Sequence, residues 1–118
     1  MSNQSGKEAE DRALRYLQQN GLQLVESNFS CRFGEIDLIM QEGETLVFVE
    51  VRYRKQNRFG SALESVDRRK MERLTKTAQL FLQQHKKFAQ QPCRFDVIGL
   101  GPDQGRIDWI NNAFDNFA

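Results

Sequence analysis

Apolar and polar positions along the chain change period several times, and each change marks an element. Between residues 5 and 20, Ala9, Ala13, Leu14 and Leu17 recur at three- and four-residue spacing, the stripe of an amphipathic helix. Ser5 and Glu8 form an S-x-x-E capping box at its start, and Gly21 follows the last periodic residue as a stop. The pattern then shortens to alternation and predicts strands over residues 22–29 and 35–40. Residues 45–54, TLVFVEVRYR, are β-branched and aromatic along their length and give the strongest strand signal in the chain. Residues 55–62 are polar and read as a loop. Helical spacing returns at Met71, Leu74, Ala78, Phe81 and Leu82, with Asp67 as its N-cap, and carries a second helix to about residue 87. Pro92 ends the linker that follows, and residues 93–100 and 106–110 read as two further strands joined by the turn GPDQG. The order α-β-β-β-α-β-β, without repeats or an internal linker, describes one α/β domain.

Composition removes several classes of function. The 118 residues suit a single domain. Two cysteines and one histidine cannot supply a His/Cys zinc site of four ligands. The opening MSNQSGKEAEDRA is too polar for a signal peptide, and no apolar stretch approaches the roughly 18 residues of a membrane span. A cytoplasmic protein that keeps off the membrane is therefore expected. The net charge of +1 argues against a polyanion partner until it is divided. Residues 52–87 hold eleven basic and three acidic side chains, a net of +8, and the remainder carries −7. A basic third of this kind can draw a polyanion to a chain that is neutral overall. The plainer alternative is a solvated helix face kept for solubility.

The carboxylates raise the sharper question. On the strand 45–54, Leu46, Phe48, Glu50, Arg52 and Arg54 share one face, so Glu50 continues a face that begins apolar. An ionised carboxylate there costs several kcal/mol unless it is paired or bound to a metal. If residues 42–45 form a four-residue loop, Asp37 lies opposite Glu50; if only Glu42 and Gly43 turn, Glu35 does. Either register puts Glu35, Asp37 and Glu50 on one face, with opposed Cβ atoms about 4.5–5.5 Å apart. Facing carboxylates repel, and a divalent cation compensates them; Mg²⁺ takes oxygen ligands from one or two carboxylates plus waters. Glu10, on or beside the buried stripe of the first helix, is placed to join them. The alternative is an ion-pair network at the sheet edge, built on Arg52 and Arg54 and energetically minor. Among the remaining candidates, His85 reads as a helix-end residue, Asp96 as structural and Trp109 as core. Phe59, Tyr53 and Phe88 are aromatic residues that could stack on bases, Phe59 being the best placed.

GEIDLI (34–39) followed by VFVEVRYR (47–54) closely resembles the YraN family of small bacterial proteins. The early helix with Glu10, the SVDRRK segment and the strand RFDVI extend that resemblance over nearly the whole chain. These proteins are similar to archaeal Holliday-junction resolvases, which implies a restriction-endonuclease-like fold with a central mixed sheet flanked by helices. The resemblance implies Asp37 and Glu50 as metal-binding acids of a PD-(D/E)xK pattern, Glu10 as the additional helix acid, and Glu35 in support. Arg52 stands where that pattern usually has lysine, and Lys70 matches a basic position at the start of the second helix. The implied chemistry is Mg²⁺- or Mn²⁺-assisted hydrolysis of DNA, branched DNA included, by a homodimer. Arg54, Lys55, Arg58, Arg69, Lys70 and Arg73 are then the phosphate-facing set. Arginine stays charged and can position or stabilise but not transfer a proton. That leaves three outcomes: Lys55 or Lys70 substitutes, catalysis is slow, or the protein binds DNA without cutting it. A protein-interaction module with structural ion pairs is the reading from a different class.

Overall fold

Gly21 stops the first helix by adopting a left-handed backbone with φ 93°. Its N–H bonds the Gln18 carbonyl while the N–H of Leu22 reaches back to Leu17, the paired bonds of a Schellman cap. This computed structural model describes residues 2–53, 66–102 and 106–114, with side chains from residue 6. In it the first helix, α1, spans Ser2–Gln19. Ser5 is thus inside the helix rather than its cap.

The remaining elements are β1 (Gln23–Cys31), β2 (Gly34–Glu42), β3 (Thr45–Tyr53), α2 (Arg68–Gln84), a 3₁₀ turn (Lys86–Phe88), β4 (Cys93–Leu100) and β5 (Ile107–Phe114). Strands β1, β2 and β5 run longer than their apolar stretches. Backbone pairing continues through polar ends, with Cys31 opposite Gly34, Glu42 opposite Thr45 and Phe95 opposite Phe114. Helix α2 ends before residue 87 because His85 leaves the helical region (φ −126°, ψ 76°). Arg54, Lys55, Arg58, Phe59 and the expected loop at 55–62 lie outside the described residues.

The five strands form one sheet in the order β1-β2-β3-β4-β5. Only β3 and β4 are parallel, and α2 lies in the crossover between them. This is the mixed sheet flanked by helices that the motifs implied, in the order α-β-β-β-α-β-β. Each face of the sheet carries its own apolar cluster. Ala9, Ala13 and Leu17 of α1 cover Leu38, Met40, Val47 and Val49. Leu74, Ala78 and Phe81 of α2 cover Ile39, Leu46, Phe48 and Phe95. The central strands are therefore apolar on both faces, and any carboxylate among them needs an explanation. Among the described residues, no helix is long and apolar enough to cross a membrane.

Asp67 caps α2 as its position implied. Its backbone is extended and its Oδ1 accepts from the Lys70 N–H at 2.9 Å. Asp67→Ala is expected to cost about 1 kcal/mol in urea denaturation. A loss under a few tenths would mean that the cap does not hold the turn carrying Lys70.

Candidate functional site

Strands β2 and β3 stop pairing at Leu38 and Val49, although the register would next place Asp37 opposite Glu50. Asp37 Oδ2 instead accepts the Val51 N–H at 2.8 Å. A side chain replaces a rung of the ladder, and the strands part there. The turn is Gly43–Glu44, since Glu42 pairs with Thr45, and Gln41 faces Leu46. That is the register which brings Asp37, not Glu35, level with Glu50. Ile36 packs in the cluster under α2 and Leu38 in the one under α1, so the alternation slips across Asp37. Glu35 is exposed and lines a cleft of about 120 Å³ with Gly34, Lys70, Arg73 and Leu74.

Glu50 is buried, at 5% exposure, on the face toward α2. Its Oε2 lies 3.2 Å from Arg52 Nε and 3.1 Å from Lys70 Nζ. Strand period places Arg52 beside it, and the Asp67-capped first turn of α2 brings Lys70 from above. On its other side Glu50 meets Asp37. Burial pushes the Asp37 carboxyl up to about 8. The negative charge of Glu50 adds to this, the Val51 N–H offsets part of it, and Glu10 and a carboxyl–carboxyl hydrogen bond with Glu50 raise it further. Near neutral pH Asp37 therefore keeps its proton beside Glu50.

Glu10 sits half-buried on α1, and its Oε1 accepts from Asn28 Nδ2 at 3.0 Å. Asn28 lies across from Asp37, between the pairs Ser27–Leu38 and Phe29–Ile36. Its backbone is left-handed (φ 53°), a conformation that asparagine tolerates better than most residues. Asn28, Asp37 and Glu50 thus form a row over three adjacent strands, with Glu10 reaching it from α1. Sequence pattern does not single out Asn28. Its only signal is a turn-forming residue in the middle of a strand run.

Among the described residues, no three His, Cys, Asp or Glu side chains are grouped as an enclosing metal set. The fit to a metal is consequently that of a two-carboxylate site. Asp37 and Glu50 are hard oxygen donors forced together where burial and like charge already demand a proton. Mg²⁺, held by one or two carboxylates and its own waters, suits such a pair.

Of the expected phosphate-facing residues, Lys70 is at the site, Arg73 lines the neighbouring cleft and Arg69 is exposed at the start of α2. Phe88 is buried and does not serve as a stacking ring, while Tyr53 is half-buried against the cluster under α1. His85 is structural: its Nδ1 is 2.9 Å from the Phe81 carbonyl and its ring stacks on Phe81. Asp96 is structural too, accepting from Arg94, from Trp109 Nε1 and from the Asn112 N–H.

With this geometry established, known proteins supply a family. The family described as "Uncharacterised protein family UPF0102" matches residues 9–100, a span that contains Glu10, Asn28, Asp37, Glu50, Arg52 and Lys70. A UPF0102 protein of Stutzerimonas stutzeri is 54% identical over 117 residues, covering 98% of each chain. One from Pseudomonas fluorescens is 50% identical, covering 96% of this chain and 94% of its own. A third, from Pseudomonas aeruginosa, is 48% identical over 97% of this chain and 94% of its own.

Proposed function

This chain belongs to the uncharacterised family UPF0102, that of the YraN proteins, and from that premise we propose a divalent-metal-dependent, nuclease-like protein acting on DNA, branched DNA included. The observation that carries the proposal is the Asp37–Glu50 pair. Two carboxyls in contact at the parting of two core strands are an unfavourable way to fill a structural position. They are a favourable way to hold a cation. Asp37 and Glu50 would hold Mg²⁺ or Mn²⁺, with Glu10 the next acid, and the bound ion would supply an activated water and neutralise phosphate charge.

The chain's own residues do the rest. The Val51 N–H fixes the Asp37 carboxyl, and Asn28 holds Glu10 in the same row. Arg52 and Lys70 orient Glu50 and bring two positive charges beside the phosphate's place, where they stabilise charge that develops during cleavage. Lys70 supplies the exchangeable amine that Arg52 lacks. A DNA-binding protein without cleavage is the second reading, favoured by Arg52; the Lys70–Glu50 contact is why cleavage is preferred.

The test incubates the protein with branched, duplex and single-stranded DNA in Mg²⁺, Mn²⁺ or chelator, beside Asp37→Ala and Glu50→Ala. Metal-dependent cleavage that both substitutions abolish is the expected result. Cleavage that survives both removes this site. Binding that weakens steeply with salt, with no cleavage in either metal, selects the second reading.

A further inference from the structure

We propose that the groove beside the turn Arg32–Phe33 seats an unpaired nucleotide of the bound strand, with Phe33 stacking on its base and Arg32 and Lys76 meeting its phosphates. The proposal rests on the DNA reading above and narrows it to substrates with single-stranded character. The turn joins β1 to β2, where Cys31 pairs with Gly34, and it leans on α2. A Cβ at Gly34 would stand 3.7 Å from Thr77 Oγ1 and 3.8 Å from Arg73 Cβ. Between turn and helix lies an open groove of about 370 Å³, lined by Arg32, Phe33, Lys76, Gln79, Leu80 and Gln83.

Two cations approach the Phe33 ring in this groove. Arg32 Cζ is 4.8 Å and Lys76 Nζ 5.8 Å from the centroid of Phe33. Both side chains are exposed, and neither takes part in an ion pair among the described residues. A half-buried ring with cations around it offers what a nucleotide needs: a stacking face that accepts any base, and charge for its phosphates. A paired base keeps its faces inside the duplex stack, so the ring selects an unpaired one.

Position supports the same occupant. Lys70, Arg73 and Lys76 follow one another at three-residue steps along α2, a basic run of about 9 Å. It starts at Glu50, passes the cleft of Gly34 and Leu74, and ends at the groove. A strand leaving the carboxylates along this run reaches Phe33. Glu35 is the one acid among the described residues lining the intermediate cleft, and Glu35→Gln should tighten the binding of such a strand.

The experiment measures fluorescence anisotropy of labelled single-stranded and duplex DNA of equal length, in chelator so that nothing is cut. Phe33→Ala is expected to weaken single-strand binding roughly tenfold and duplex binding less than twofold, with Phe33→Trp retaining both. Lys76→Glu, at an exposed position, should weaken single-strand binding and flatten its salt dependence, whether or not Phe33→Ala folds. Equal losses on both DNAs, or single-strand affinity unchanged in Phe33→Ala and Lys76→Glu, overturn the stacking site alone. A parent protein that binds neither DNA overturns the DNA reading and this site with it.

Discussion

Asp37→Asn is expected to make the metal-free protein more stable at pH 8 while removing the metal-dependent cleavage proposed above. Burial, then the charge of Glu50, raise the Asp37 carboxyl from 3.8 to about 8. Glu10 adds from α1, while Arg52 and Lys70 face Glu50 from β3 and α2. In the unfolded chain the same group ionises near its ordinary value of about 4. Between these limits the folded protein binds more protons than the unfolded one, so stability falls as pH rises. The contribution is fully present below about pH 4 and is lost as pH passes through about 8. Discounted for partial exposure, the swing is on the order of 2 kcal/mol. Asparagine keeps an acceptor for the Val51 N–H and carries no charge, so the slope should flatten. Urea midpoints at pH 5 and pH 8 in chelator check this; equal destabilisation of the variant at both values would refute it. The cleavage proposed above should fall at least about 100-fold, since an amide is a poor substitute for a charged ligand. A carboxylate kept for stability alone would not gain stability and lose activity in one substitution.

Asp96→Ala should carry the largest cost to stability, about 3–5 kcal/mol. The residue is 1% exposed. Its carboxylate accepts from Arg94 Nε at 3.0 Å and Nη2 at 3.2 Å, from Trp109 Nε1 at 2.9 Å and from the Asn112 N–H at 2.9 Å. Asn112 has a left-handed backbone (φ 52°), and this bond pins it within β5. Removing the carboxylate orphans the indole and backbone donors and leaves Arg94 with Glu42, at 2.7 Å, as its remaining acidic partner. Thermal and urea unfolding give the cost, and the DNA affinity proposed above should stay within twofold for the folded protein in the cold. A cost below 1 kcal/mol would show that β5 is held by its ladder alone.

Several of these residues are legible in the sequence because their type and spacing leave few options. Asp67 before RRKMERL can cap a helix and do little else there, and Glu50 in an apolar strand demands a partner by its charge alone. The level placement of Asp37 and Glu50 is one of two registers, and which one holds depends on the length of the turn. Asn28 and Phe33 are not legible. The first matters through its place across from Asp37 and its bond to Glu10, and the second through a helix more than forty residues away in the chain. Alternation also fails at Ile36–Leu38, because a strand that gives up a backbone rung no longer keeps strict period. The proposed site sits where the repeating pattern is interrupted, and a reading built on repetition sees such places last.

The Val51 amide has a role of its own in this arrangement. Its guard is not another strand but a carboxyl whose charge changes near neutral pH. Hydrogen exchange at that single amide, followed residue by residue, therefore becomes a gauge of what Asp37 is doing. Whatever draws the carboxyl away should unlatch the amide while its neighbours in β3 stay protected, so the site carries its own built-in indicator.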